Sequence, residues 1–190
     1  MGWITEVKAI PQAAPQRHTV VICAGHSNRD PGAVAHGYSE AAICADFRNQ
    51  VSDELTQLGI RHLTDGTGTE NWPLSQAVQL AAEAAIAVEF HCNAATPAAT
   101  GVETLSRREN FPLAGRLCTV TSQALGIRNR GAKPENAGQH HRLAFVSDGG
   151  GVIHELFFLT NRDDLDAYLA NQADLARAVA DVLATAARAE

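Results

Sequence analysis

Two histidines and two glutamates, His26, Glu40, His91 and Glu155, have the types needed to assemble hydrolytic chemistry in this 190-residue chain. Each lies inside an apolar stretch or at the edge of one. Two neutral imidazoles and one carboxylate match the nitrogen and oxygen preference of Zn²⁺ and leave a coordination position for water. The remaining carboxylate could act as general base toward that water. The four are not gathered in one helical His-Glu-x-x-His motif, so spacing alone does not establish the site. They have to converge from separate segments, and the elements that deliver them decide the reading.

His18–Cys23 is an apolar, β-branched run of strand length, suited to a central strand buried on both faces. It delivers Gly25-His26-Ser27 and a Gly/Asn/Asp/Pro-rich loop to Gly37. Ser39 resembles an N-cap for a helix to about Leu58, with Gly59 as its stop and Glu40 in its first turn. Ile60–Thr64 is a second strand. Pro73 opens a helix through Ala84. Ile86–Cys92 is a third strand, interrupted by Glu89, and it delivers His91-Cys92-Asn93. Gly101–Leu105 is a fourth strand, and Pro112–Leu125 is a helix ended by Gly126. Arg128–His141 reads as irregular and polar. Leu143–Val146 is a short apolar run, counted fifth among the strands. Val152–Leu159 is the sixth and carries His154-Glu155. Asn161 caps a final helix over Leu165–Arg188, with a break near Asn171. Strands alternating with helices predict an α/β single domain: a mainly parallel, twisted sheet of about six strands with helices on both faces. In such sheets sites form beyond the carboxyl ends of strands, where all four side chains fall.

Composition narrows the partners. The hydrophobic share of 45% suits one packed domain, not a disordered chain. A net charge of −6 and a pI near 5.7 argue against nucleic acid and anionic lipid surfaces. No apolar run is long enough to span a bilayer, so integral membrane association is not expected. Cys23, Cys44, Cys92 and Cys118 form no Cys-x-x-Cys pair, and Cys23, Cys44 and Cys118, inside apolar stretches, are expected to be reduced core residues of a cytoplasmically made protein. Residues 1–17, with Pro11 and Pro15, are expected to be a short arm before a catalytic domain over 18–190. The arm has no apolar core behind a basic start, so synthesis without a signal peptide is expected.

The motifs then become specific. The run Gly25-His26-Ser27-Asn28-Arg29-Asp30-Pro31-Gly32-Ala33 is followed in order by Glu40, His91-Cys92-Asn93-Ala94 and Gly101-Val102-Glu103. Glu155-Leu156-Phe157-Phe158-Leu159-Thr160-Asn161 completes the set. In this the chain resembles the zinc-dependent N-acetylmuramoyl-L-alanine amidases of the amidase-3 type, from about His18 to Tyr168. The resemblance implies one Zn²⁺ per chain held by His26, Glu40 and His91, with Glu155 as the catalytic base. It implies peptidoglycan as substrate, cut at the amide between N-acetylmuramic acid and L-alanine, with no obligatory protein partner. The chain departs from the family at Ser27, at Ser75-Gln76-Ala77 where an arginine is common, and at Phe157 where glycine is usual. A catalytic domain with neither leader nor wall-binding module fits a phage endolysin that acts at the cell wall or periplasm after release. The competing readings are a zinc peptidase acting within the stem peptide and a non-catalytic wall-binding module.

Other residues have weaker claims. Glu89, two before His91 and so on its strand face, is a candidate for orienting the imidazole, or lies on a solvated face or pairs with an arginine. His36 is a candidate substrate contact or a plain loop residue. Asn93 is a candidate for either kind of support. Arg128 and Arg130 are candidates for holding a substrate carboxylate, or belong to a solvated loop. His140, His141 and His154 are available as decoy ligands. Neighbours on a strand point to opposite faces, which separates His154 from the side of Glu155 and keeps Cys92 from serving as a nucleophile beside His91.

Overall fold

The computed structural model describes residues 18–137 and 141–189; the expected arm over 1–17 and the decoy His140 lie outside them. The chain runs β1 (His18–Ala24), a small hairpin of β2 (Val34–Ala35) and β3 (Tyr38–Ser39), then α1 (Glu40–Gln57) and β4 (His62–Thr64). It continues through α2 (Leu74–Ala82), β5 (Ala84–Asn93), β6 (Val102–Ser106) and α3 (Phe111–Leu125). The last elements are β7 (Asn129–Pro134), α4 (Ala144–Ser147), β8 (Val152–Phe158) and α5 (Arg162–Ala187). One six-stranded sheet has the order β4-β1-β5-β8-β6-β7. All its neighbours are parallel except β6 with β8. The α/β reading therefore holds, with helices on both faces.

The sheet separates two cores. Val88, Phe90 and Cys92 of β5 pack toward α1, α3 and α5, where Phe47, Leu117, Tyr168 and Val179 are fully or almost fully buried. Burying each such side chain contributes roughly 1.5–3 kcal/mol. Ala87 and Ile153 face the other way, toward Ala77 and Ala81 of α2 and Phe145 and Val146 of α4. This second layer is short, so it leaves part of its sheet face uncovered.

Several elements differ from expectation. Asn129–Pro134, expected to be irregular, is the edge strand β7, paired along one side only, where polar residues are tolerated. Leu143–Val146 is not a strand; Ala144–Ser147 form a helical turn whose Phe145 and Val146 fill the small core. Pro73 precedes α2 as its N-cap, and α2 stops at Ala82, because Ala84 already pairs with β1. Glu89 does not interrupt β5. Asn171 does not break α5; its side chain donates to the Ala167 carbonyl, 2.8 Å away, and stays within the helix. Ser39 stands at the N-cap of α1 without a side-chain cap. Carbonyls of the preceding loop serve instead: Glu40 N donates to Ala33 O at 2.8 Å and Ala41 N to Pro31 O at 3.1 Å. The start of α1 is thus tied to the loop that follows β1. Asn161 caps α5 as expected, accepting from Asp163 N and Asp164 N.

Candidate metal centre

β1 continues its pairing one residue past its end, where Gly25 N donates to Phe90 O at 2.8 Å. The chain then turns at His26, whose φ of 68° is uncommon for a residue with a Cβ. The turn presents the ring to two acids. His26 Nδ1 lies 3.0 Å from Asp30 Oδ2, and Nε2 lies 2.9 Å from Glu40 Oε2. His91 repeats the arrangement: Nε2 lies 3.0 Å from Glu89 Oε2, and Nδ1 lies 2.9 Å from Glu40 Oε1. Each imidazole thus has an outer carboxylate on one nitrogen and turns the other toward Glu40. An outer acid of this kind fixes the tautomer and raises ligand basicity.

Glu40 opens α1, where the helix dipole favours an anion. Its Oε2 also accepts from Ala33 N at 2.9 Å, and its Oε1 from Cys92 N at 3.0 Å. Burial raises its pKa, but the two imidazoles outweigh burial and hold the carboxyl well below the usual carboxylate range. In return Glu40 raises the pKa of His26, against burial. Burial lowers His91, but Glu40 and Glu89 together hold it well above the ordinary value.

The donor set fits a divalent ion. One nitrogen from each of His26 and His91 and one oxygen from Glu40 lie within 4.8 Å of one another. The backbone makes room for these rings. A Cβ on Gly25 would sit 2.5 Å from His91 Nδ1, and one on Gly32, with φ +64°, would sit 2.5 Å from His26 Nε2.

Glu155 stands beside this set. His91 and Glu155 are register partners in β5 and β8, and Glu155 is in turn the partner of Glu103 in β6. Glu155 Oε2 is buried and has no hydrogen-bond partner among the described residues. Burial pushes the carboxyl up to about 7, with Glu40 and Glu103 adding to the rise and His91 opposing it. This is the environment that suits a proton acceptor working near neutral pH.

A cleft of about 340 Å³ reaches two of the donor residues, with His26, Glu89 and His91 in its lining and Trp72, Leu74, Leu143 and Phe145 as an apolar wall. A larger groove of about 520 Å³ lies between the His26 loop and α1; its lining holds none of the three donor residues.

The remaining expected residues are placed as follows. Glu89 touches His91, as described. Asn93 Nδ2 donates to Glu103 Oε1 at 3.1 Å and is directed along the sheet. Arg130 meets the same carboxylate through Nε and lies over the Phe158 ring, 4.9 Å from its centroid. Arg128 is exposed just before β7. His36, at φ 53° in the β2–β3 turn, has its Nε2 3.3 Å from Thr160 O, away from the donor set. His141 is exposed. His154 faces α3, 3.0 Å from Thr121 Oγ1, and burial lowers its pKa to about 3. Cys92 is buried with its thiol pKa raised by burial, so it is no nucleophile.

Two groups were given no role in the sequence reading. Glu103, held by Arg130 and by Lys133 Nζ at 2.7 Å, extends the row of acids from Glu155 onto β6, one strand in from the edge. An acid in a buried strand could have marked it, as it marked Glu155. Asp30 had no such signal beyond its place in the loop motif.

Residues 20–185 match the family model described as N-acetylmuramoyl-L-alanine amidase, Amidase_3. The fold is similar to a proposed N-acetylmuramoyl-L-alanine amidase from Neisseria meningitidis, with a TM-score of 0.81 and 40% identity, covering 88% of this chain and 94% of that one. It is also similar to the AmiC2 amidase of Nostoc punctiforme, with a TM-score of 0.74 and 23% identity, covering 87% and 95%. The uncharacterized protein YqiI of Bacillus subtilis is 28% identical over 155 residues, 78% of this chain and 73% of that protein. With a matching family model spanning the strands, the donor set and Glu155, the chain belongs to the amidase-3 family of N-acetylmuramoyl-L-alanine amidases.

Proposed function

We propose that this amidase is zinc-dependent and hydrolyses the bond between the lactyl group of N-acetylmuramic acid and L-alanine in peptidoglycan. The observation that carries the reading is the pairing of a two-histidine, one-glutamate donor set with a half-buried Glu155 on the neighbouring strand, whose Oε2 is buried without a partner among the described residues. His26, Glu40 and His91 would hold one Zn²⁺. When bound, the ion would supply Lewis acidity toward the scissile carbonyl and the attacking water. Glu155 takes the proton of the attacking water and passes it to the departing L-alanine amine. Asp30 and Glu89 hold the two rings in the tautomers that face inward. Trp72, Leu74 and Leu143 shield one side of the cleft from water. Arg130 and Lys133, both paired with Glu103, offer cationic positions for a stem-peptide carboxylate, and Arg128 is an exposed one just before β7.

Mass spectrometry of digested sacculi tests this. The reading requires a free muramoyl lactate and a newly exposed L-alanine amine, lost on chelation and restored by zinc. Cleavage inside the stem peptide would make the chain a peptidase, and binding without turnover would make it a wall-binding module. We also propose a lytic, endolysin-like role in which the protein is made in the cytoplasm and reaches the wall after release. Cytoplasmic expression should then lyse cells only after the membrane is permeabilised.

A further inference from the structure

We propose that Arg48, Asp65 and Asn71 are positioning residues that set His26 relative to Glu40; this rests on the metal reading above. Arg48 lies on α1, the helix that Glu40 opens, and its side chain is fully buried. Its Nη1 donates to Asp65 Oδ1 at 2.9 Å and Asn71 Oδ1 at 3.3 Å. Its Nη2 donates to Asn49 Oδ1 and to Glu70 O, both at 3.0 Å. The two residues it grips hold the backbone just before His26. Ala24 N donates to both Asp65 oxygens at 3.2 Å. Asn71 Nδ2 donates to Ala24 O at 3.1 Å and Gly25 O at 3.2 Å. Beyond His26, Asn28 closes the bracket: its Oδ1 accepts from Asn71 N at 2.8 Å and its Nδ2 donates to Thr69 O at 2.6 Å.

The left-handed turn at His26 is therefore anchored on both sides to a cluster rooted in the helix of another ligand. An apolar side chain would fill the place of Arg48 at lower desolvation cost, and Arg48 Nε is buried without a partner among the described residues. What an apolar residue cannot do is tie α1 to the exit of β1. The clamp supplies that tie, so it fixes the separation of the His26 nitrogen from the Glu40 oxygen before an ion arrives.

The test uses the full chain with Asn71→Asp, which keeps an acceptor toward Arg48 but replaces the donor facing two carbonyls. Zinc affinity is measured by competition with a chelator, ligand geometry by the visible spectrum of the Co²⁺-loaded protein, and folding of the metal-free protein by circular dichroism. The clamp requires a loss of zinc affinity of about 10–100-fold and an altered Co²⁺ spectrum in a metal-free protein that remains folded. Asn28→Ala, at an exposed position, should shift both readouts in the same direction by less, and it carries the test if Asn71→Asp does not fold. Ser122→Ala, which removes a hydrogen bond to Ile127 O far from the site, should move neither. Unchanged affinity and spectrum in the folded variants, beside a wild type that takes up zinc, overturn the clamp alone. A wild type that takes up no zinc overturns the metal reading with it.

Discussion

His91 and Glu155 are register partners in two adjacent parallel strands, which sets their side chains next to each other on the same face of the sheet. A candidate metal donor and a carboxylate are thus positioned by the backbone pairing of β5 with β8.

The first expectation concerns Glu155. The Glu155→Gln variant should keep its zinc and fold while turnover drops by about 10²–10⁴. Metal content and muropeptide release, measured on one preparation, check both halves. A rate near wild type would move the base to another residue.

His26→Ala and His91→Ala should fail at an earlier step. Each removes one nitrogen of the donor set, so purified variants should carry little zinc by elemental analysis. A chelator should inactivate the wild type and added zinc revive it. Revival of either variant at matched zinc would count against its residue as a ligand.

Protons compete with the ion. Both histidines are raised above 6.5 in the metal-free protein, and only neutral rings bind metal. Zinc affinity should therefore fall as pH drops through neutrality, steeply if both rings titrate. The sign for stability is opposite on the basic side. In metal-free protein the histidine contribution is complete below 6.5 and fades as pH climbs through the raised values. The Glu40 contribution is complete above its ordinary value of 4.5 and fades as pH falls toward its depressed value. Thermal midpoints of metal-free protein should thus be highest between those limits; a midpoint that keeps rising above pH 7 would contradict the assignment.

Glu89→Gln should weaken zinc binding by about 10-fold or more, because the amide is a poorer acceptor for His91 Nε2 than the carboxylate. Titration against a competing chelator measures it. Equal affinity in variant and wild type would leave Glu89 as a buried acid with no effect on the ion.

Gly25→Ala tests space alone, because its Cβ would overlap the His91 ring. The chain should fold but lose metal and activity together. An alanine variant with full zinc occupancy would mean that the ring can be displaced without consequence.

The candidate donors are legible in the chain through the ordered motifs around them, helped by local signals: His26 follows and His91 lies near the end of apolar β-branched runs, and Glu40 is an acid in the first turn of a helix. Glu89 is legible because strand alternation puts it on the side of His91. The edge strand is not: Asn-Arg-Gly-Ala-Lys-Pro has neither alternation nor apolar bulk, and only the pairing with Val102–Ser106 makes it a strand. Leu143–Val146 misleads because a four-residue apolar run fits a strand or a helical turn equally. Arg48, Asp65 and Asn71 carry no motif or spacing that marks them in the sequence. Their shared burial arises only when α1 closes on the exit of β1.

His26, Glu40 and His91 meet only through the packing of β1, α1 and β5, so on the proposed zinc reading an ion would be gripped only after the chain has found its topology. It would then act as a staple between stretches far apart in the covalent chain, and the same atom that confers reactivity would resist the chain's opening.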